Sequence, residues 1–319
     1  MGLFILRRLL ISIPTLLGIS LVIYMVLALA PGDPLAQFAA DPSVPVEVRE
    51  NIRQALGLND PWYIRYFKWL GALLRGDWGF SFASRVPVLD LISQRLPQTL
   101  QVLGLAYFFS ICLAIPIGVL SSLRPYSWFD NIATTFAFIG FSLPTFFTGL
   151  VLILVFSVNL RWLPFIYDST LNVNSWDTFV RQVRQMIMPI TVLALFQTGT
   201  LTRFVRAAML DNLPSDYVRT ARSKGLNERA VVLRHVLRNS LIPVVTLIAL
   251  GVPTIFTGAI VTEQIFRING IGELLIRSIQ NSDTPVIMAI TFIFAVLVVA
   301  ANLIADVIYG LLDPRIRYS

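Results

Sequence analysis

Long apolar stretches alternate with polar segments along the chain. A helix that crosses a membrane needs about 20 mainly apolar residues, and several stretches reach or approach that length. These stretches are Leu9–Ala30, Leu100–Leu123, Ile132–Val158, Met186–Thr202, Leu241–Val261 and Val286–Ala305. The pattern predicts an all-α membrane protein with six transmembrane helices, of which the fourth is the shortest.

The composition supports this prediction and removes other classes of protein. Of the 319 residues, 56% are hydrophobic and 13% are charged, whereas soluble domains carry about 25% charged residues. A soluble globule of this composition would expose extensive apolar surface, and a disordered chain would need far more charge. The chain is therefore expected to be an integral membrane protein.

Cysteine and histidine are too scarce for metal or catalytic chemistry. The chain has one cysteine, Cys112, and one histidine, His235, so it forms no internal disulfide and no four-ligand zinc site. We interpret Cys112, which lies in an apolar run, as a small buried residue. The sequence has no P-loop motif for nucleotide phosphates. We therefore expect no cofactor, metal or catalytic residue in this chain.

Positive charge is concentrated in segments that would lie on one side of the membrane. If both termini are cytoplasmic, the inner segments hold 13 of the 25 Lys and Arg residues. The outer segments hold the other 12, although they are about twice as long. Because Lys and Arg are enriched on the cytoplasmic side, we predict that both termini are inside. Topology then explains the net charge of +7 without nucleic-acid binding.

The segment Pro31–Thr99, after the first span, is too long for a simple connector. Pro45 is part of a start signal for a helix that Gly57 would end, and a second helix is predicted after Pro61. The second helix is rich in aromatic residues, namely Trp62, Tyr63, Tyr66, Phe67 and Trp69. Such residues are typical of a membrane interface. The segment is either a folded extracytoplasmic cap or a docking surface for an external partner.

The inner segment 203–239 carries signals for two short helices. Asp216 places a negative charge in the first turn of the first helix, where the helix dipole favours it, and Gly225 would end that helix. A second helix is predicted from Asn227 to Arg238. Small side chains near the centre would let another backbone approach closely. The segment is either a docking element for a protein or a basic surface on anionic lipid.

The same segment carries a family resemblance. The run Asp216–Leu226, followed by His235–Asn239 and Pro243, resembles the EAA loop of binding-protein-dependent ABC importer permeases, and it is most similar to the dipeptide/oligopeptide branch. Further motifs typical of that branch are Pro31–Pro34, Leu56–Pro61, Gly76–Gly79, Thr262–Phe266 and Leu312–Arg315. The resemblance covers nearly the whole chain.

The resemblance implies a type I ABC importer permease fold and a non-catalytic membrane subunit. Its implied partners are a second homologous permease, two ATPase subunits that bind ATP and Mg, an extracytoplasmic binding protein and membrane lipid. Di- and oligopeptides are the implied substrates, with nickel, glutathione or sugars as alternatives. The implied location is a prokaryotic inner membrane. We divide the chain into a first helix with its extracytoplasmic loop (1–99), a five-helix core (100–312) and a cytoplasmic tail (313–319).

By this resemblance the first helix of the inner segment docks on an ATPase. The candidate docking residues are Asp216, Tyr217, Arg219, Ala221, Arg222, Lys224 and Gly225. We assign Tyr217 as an apolar anchor, and Ala221 and Gly225 as points of close contact. The three basic residues would lie at the rim of the contact.

A second group of candidates lies within the spans. Helix bends along a pathway are predicted at Pro144, Gly251, Pro253 and Gly258. Asn302 is expected to make a helix–helix hydrogen bond. Asp306 is either a residue at the inner membrane boundary or a functional acid. A stand-alone secondary transporter is the alternative class, although it would need acids or broken helices in related halves.

Overall fold

The computed structural model describes residues 2–29, 45–55 and 59–312, which are helical apart from loops and one isolated β-bridge between Phe80 and Pro87. The helices are α1 (Gly2–Ala28), α2 (Val46–Ala55), α3 (Trp62–Leu74), α4 (Val88–Leu123), α5 (Trp128–Ser142), α6 (Thr145–Leu152), α7 (Trp176–Asn212), α8 (Asp216–Ser223), α9 (Glu228–Ala230), α10 (Leu237–Phe266), α11 (Ile271–Gln280) and α12 (Thr284–Leu312). Two π-helical turns follow α6 and α9, at Ile153–Asn159 and Val231–Val236.

The described residues contain five helices that are long and apolar enough to cross a membrane. They are Ile5–Ala28, Val88–Leu123, Trp176–Asn212, Glu228–Ala249 and Thr284–Ile308. A sixth span is formed if the bent pair 128–142 and 145–159 is counted as one. The six predicted spans are thereby confirmed.

The third span is bent at Pro144, one of the positions where the sequence predicted a helix bend, so Ile132–Val158 is not one continuous helix. Its two halves meet at 104°. Pro144 precedes α6, and Leu143 before it has an extended backbone with ψ of 129°. A proline disfavours helical geometry at the preceding residue, so α5 ends there. Hydropathy did not reveal the break because both halves are apolar.

The fourth span is longer than its apolar stretch. α7 begins after the cap residue Ser175, whose hydroxyl accepts a hydrogen bond from Thr178 N in a capping box. It ends only at Asn212. The predicted range Met186–Thr202 was too short because both ends of this helix are polar.

The chain divides into two compact units, 1–7 with 98–268 and 300–319, and 8–97 with 269–299. In the first unit, α7 packs closely against α5. A Cβ atom at Gly199 would lie 2.5 Å from the carbonyl oxygen of Ala137. One at Gly118 of α4 would lie 2.7 Å from Val205 Cβ. Glycine thus allows these helices to approach at backbone distance.

In the second unit, α3 packs on α1 through aromatic residues. Tyr24, Tyr66 and Met288 are buried together, and the ring centroids of the two tyrosines are 5.5 Å apart. The hydroxyls of Ser20 and Tyr66 share a hydrogen bond of 2.9 Å. The predicted helices after Pro45 and Pro61 are confirmed as α2 and α3, whereas Gly57 lies outside the described residues.

The opposite face of α3 is exposed and apolar, and we expect it to lie in the lipid interface. Tyr63, Phe67 and Leu74 are 50%, 67% and 78% exposed, and such residues partition into the interface. A spin label at Phe67→Cys, in a Cys112→Ser background, should be more accessible to oxygen than to a water-soluble nickel reagent. A label at Lys68→Cys should show the reverse. Immobilisation of the Phe67→Cys label by an added binding protein would instead support a docking surface.

Candidate functional site

α8 forms an elbow with the start of the next helical segment. Gly225 follows α8 with a φ of +77°, and its N–H donates to the Arg222 carbonyl at 2.9 Å. Glycine adopts this left-handed conformation without steric cost. Asn227 then caps the next segment, because its side-chain oxygen accepts a hydrogen bond from Ala230 N at 2.7 Å. The predicted start at Asn227 and end at Gly225 are confirmed.

The second predicted helix does not end at Arg238. The chain continues from α9 through the π-helical turn into α10, which includes Pro243. Prolines are tolerated in membrane helices because neighbouring groups satisfy the backbone carbonyls that they leave unbonded. The elbow is therefore joined directly to the fifth span, without a flexible connector.

One face of α8 is packed against its own chain. Val218 and Ala221 are 0% and 4% exposed, and they belong to a cluster with Val205 and Met209 of α7. Three further residues of the cluster come from the π-helical turn, namely Val231, Val232 and Val236. Ala221 was predicted to touch a partner, but the structure places it in this internal cluster. Val218 and Ala221 lie three residues apart on one helix face, but this spacing does not show which residues cover that face.

The other face of α8 is polar and exposed. Tyr217 is 37% exposed, and its hydroxyl donates to Asn212 Oδ1 at 2.7 Å. Asp216 and Arg219 form an exposed pair at 3.6 Å. Lys224 is also exposed. These four candidate docking residues are therefore accessible, and their role in docking stays a prediction.

A salt bridge spans the elbow. Arg222 Nε and Nη2 donate to the two carboxylate oxygens of Glu228 at 3.1 and 2.7 Å. This hydrogen bonding raises the pKa of Arg222. The pair is exposed, so its contribution to stability is at most about 1 kcal/mol. Its geometric effect is to hold the helices on either side of Gly225 together.

A second ion pair lies close to this element, and sequence analysis did not find it. Asp130, at the start of α5, binds Arg206 of α7 with two hydrogen bonds of 2.7 Å. Asp130 is only 2% exposed. A contact between residues so far apart leaves no local pattern in the sequence.

The predicted pathway residues are dispersed. Pro144 lies at the bend between α5 and α6, whereas Gly251, Pro253 and Gly258 lie within α10. A Cβ at Gly251 would lie 2.5 Å from Gln197 Nε2 and 2.9 Å from the Tyr107 hydroxyl. In α12, Asn302 is exposed and Asp306 is half-buried. The roles of these residues in a pathway stay predictions.

A cavity of about 880 Å³ lies among α4, α5 and α7. Its described lining is mainly apolar, with polar side chains from Gln101, Gln182, Thr191, Thr198 and Thr202. This volume is in the range of sites for small organic molecules. None of the six predicted pathway residues belongs to the described lining, so the sequence did not identify this space.

One further expectation about an individual residue needs correction. Cys112 is exposed on α4 rather than buried; Leu113 beside it is also exposed, whereas Ala114 is buried. Glu263 of α10 is a buried acid that the sequence did not indicate: it is 2% exposed and accepts a hydrogen bond of 2.6 Å from Thr99. In the described parts of the chain, no group of three or more His, Cys, Asp or Glu residues is arranged to hold a metal ion.

The chain matches two family models that together cover most of its length. Residues 114–318 match the model described as "Binding-protein-dependent transport system inner membrane component". Residues 1–103 match "Binding-prot-dependent transport system membrane comp, N-term".

Curated relatives align over the full chain. The chain is 46% identical over 319 residues to the oligopeptide transport system permease protein AppB of Bacillus subtilis (strain 168), with 100% of both chains covered. It is 36% identical over 318 residues to the probable peptide ABC transporter permease protein y4tP of Sinorhizobium fredii, again with 100% of both covered. It is 37% identical over 316 residues to the glutathione transport system permease protein GsiC of Escherichia coli (strain K12), with 99% of both covered.

The fold and these matches define a multi-pass, all-α protein of the inner membrane. The chain belongs to the family of binding-protein-dependent ABC importer permeases, which has the type I permease fold. The predicted family and fold class are thus confirmed.

Proposed function

We propose that this chain forms half of the translocation pathway of an ATP-driven importer for di- and oligopeptides. A second permease completes the pathway, and an extracytoplasmic binding protein delivers the substrate. Two ATPase subunits bind ATP and Mg on the cytoplasmic side, where both termini of this chain also lie. The chain itself is non-catalytic and needs no cofactor of its own.

The observation that carries this proposal is the rigid attachment of α8. A basic segment that only adsorbs to lipid needs no fixed geometry. Here Val218 and Ala221 bury one face of α8, and the Arg222–Glu228 pair holds the elbow. Tyr217, Arg219 and Lys224 remain accessible on the other face. A rigidly held polar surface can transmit the movement of an ATPase that binds it.

Peptides are the proposed substrates because AppB and y4tP, which match the full chain, are named for oligopeptide and peptide transport. Glutathione is the second candidate, since GsiC also matches over nearly the full length. Glutathione is itself a tripeptide, so both candidates share amide bonds and free carboxylates.

The test is reconstitution of the transporter purified with its own partners. The tagged chain should bring down a second permease and ATPase subunits in mild detergent. In proteoliposomes with the binding protein outside, labelled dipeptide should accumulate only when ATP is supplied on the ATPase side. Accumulation of glutathione but not of dipeptides would favour the second candidate. Purification of the chain without an ATPase, even after cross-linking, would contradict the proposal.

A further inference from the structure

The ion pair between Asp130 and Arg206 joins α5 to the end of α7 that carries the docking element. Arg206 Nε donates to Asp130 Oδ1 and Arg206 Nη2 donates to Oδ2, each at 2.7 Å. The side chains of Asp130 and Arg206 are 2% and 24% exposed. Two parallel bonds from a planar guanidinium fix the orientation of the helices as well as their separation.

The same carboxylate also organises the turn before α5. Asp130 Oδ2 accepts a hydrogen bond from Tyr126 N at 2.8 Å, and Oδ1 accepts one from the Thr134 hydroxyl at 3.3 Å. The backbone N–H of Asp130 donates to Ser127 Oγ at 3.2 Å. A single buried carboxylate therefore connects the turn, the first turns of α5, and α7.

Arg203 adds a second contact between the same helices. It lies one turn before Arg206 on α7, and its guanidinium carbon is 5.3 and 4.9 Å from the ring centres of Phe138 and Phe141. These distances are typical of cation–π contacts. Phe141 lies two residues before Leu143, where α5 ends at the bend of the third span. α7 thus holds α5 from its first turn up to that bend.

The residues of α7 on either side of Arg206 pack against α8, the proposed docking helix. Val205 and Met209 are 0% exposed and pack with Val218 and Ala221 of α8. Val205 and Met209, which contact α8, and Arg206, which contacts α5, therefore lie within about one turn of α7. A displacement of α8 cannot leave α5 in place unless this part of α7 deforms or the ion pair breaks.

We propose that Asp130 and Arg206 are positioning residues, which convert movement of α8 into movement of the bent third span. This proposal rests on the proposed function, because it requires ATPases that displace α8. A buried ion pair adds little to stability when compared with apolar side chains of the same size. We therefore assign the pair a geometric role, which is to fix α5 relative to α7, rather than a role in stability.

The test compares Arg206→Gln, Arg206→Lys and the double variant Asp130→Asn with Arg206→Gln in the assembled transporter. The measured quantity is the number of ATP molecules hydrolysed per peptide imported into proteoliposomes. We expect Arg206→Gln to raise this ratio about 5-fold or more, within the range of coupling effects of single residues. The amount of ATPase that copurifies with the chain, and the rate of ATP hydrolysis without substrate, should stay at the wild-type level. Arg206→Lys keeps the charge without the paired bonds, so its ratio should be intermediate.

The double variant separates positioning from stability. It removes the unpaired buried charge that Arg206→Gln leaves on Asp130, so thermal stability should recover while the ratio stays high. Arg181→Gln is the matched control, since it breaks an exposed pair with Asp177 (2.9 Å) on the same helix.

An unchanged ratio in Arg206→Gln, or recovery of the ratio in the double variant, would overturn the inference. If the wild-type complex hydrolyses ATP but imports neither peptides nor glutathione, the proposed function itself fails, and this inference fails with it.

Discussion

Replacement of Gly199 by valine is expected to separate α5 from α7 and to unfold the first unit at markedly lower temperature. Any Cβ at this position would lie 2.5 Å from the Ala137 carbonyl oxygen and 3.4 Å from Phe141 N. Both atoms belong to the backbone, so they cannot move aside as a flexible side chain could. Overpacking of this kind costs about 1–3 kcal/mol, and a backbone clash places Gly199→Val at the upper end of that range.

The measurement is the midpoint temperature of thermal unfolding of the purified protein in detergent, monitored by fluorescence-detected size exclusion. Gly104→Val is the matched control, because Gly104 is also helical and a Cβ there would meet nothing within 4 Å. Equal midpoints for the two variants would show that α5 and α7 are not packed as the structure describes.

Replacement of Gly225 by valine should weaken the binding of the ATPase without unfolding the spans. Gly225 has a φ of +77°, and no atom lies within 4 Å of a Cβ built there. The effect of a side chain is therefore conformational: left-handed geometry costs about 1–2 kcal/mol for a residue with a Cβ atom. Relief of this strain would open the elbow and displace α8, so we expect about a 10-fold loss of ATPase affinity, the equivalent of about 1.4 kcal/mol.

Gly225→Asn is the control for this variant, since asparagine adopts left-handed geometry more readily than valine does. ATPase titration in nanodiscs should give near wild-type affinity for Gly225→Asn and a clear loss for Gly225→Val. If both variants bind equally well, the conformation of the elbow has no part in docking.

Local signals in the sequence predicted the elbow correctly. Asp216, Gly225 and Asn227 act through their own backbone and that of the next few residues, so their effects can be read from neighbouring positions. The same holds for α3, whose start follows Pro61. The six spans could be predicted because membrane crossing depends on the length and hydropathy of one segment.

Features that depend on tertiary contacts could not be predicted. The sequence predicted a bend at Pro144 but not its angle of 104°, since a proline indicates a break without fixing the direction of the next helix. The Asp130–Arg206 pair joins residues 76 positions apart, and the burial of Ala221 depends on Val205 and Met209 of another helix. A single sequence shows which residues are present but not which distant residues meet.

The docking of α8 on an ATPase subunit can be tested by site-specific cross-linking. The chain would carry Cys112→Ser and Tyr217→Cys, and the assembled complex would be treated with a reagent that has one thiol-reactive arm and one short photoactivatable arm. We expect an adduct between the Tyr217→Cys variant and an ATPase subunit, and none with Tyr126→Cys, which is exposed in the turn before α5. Full reactivity of the Tyr217→Cys thiol toward a water-soluble maleimide in the assembled complex, with no ATPase adduct, would show that α8 does not dock on the ATPase.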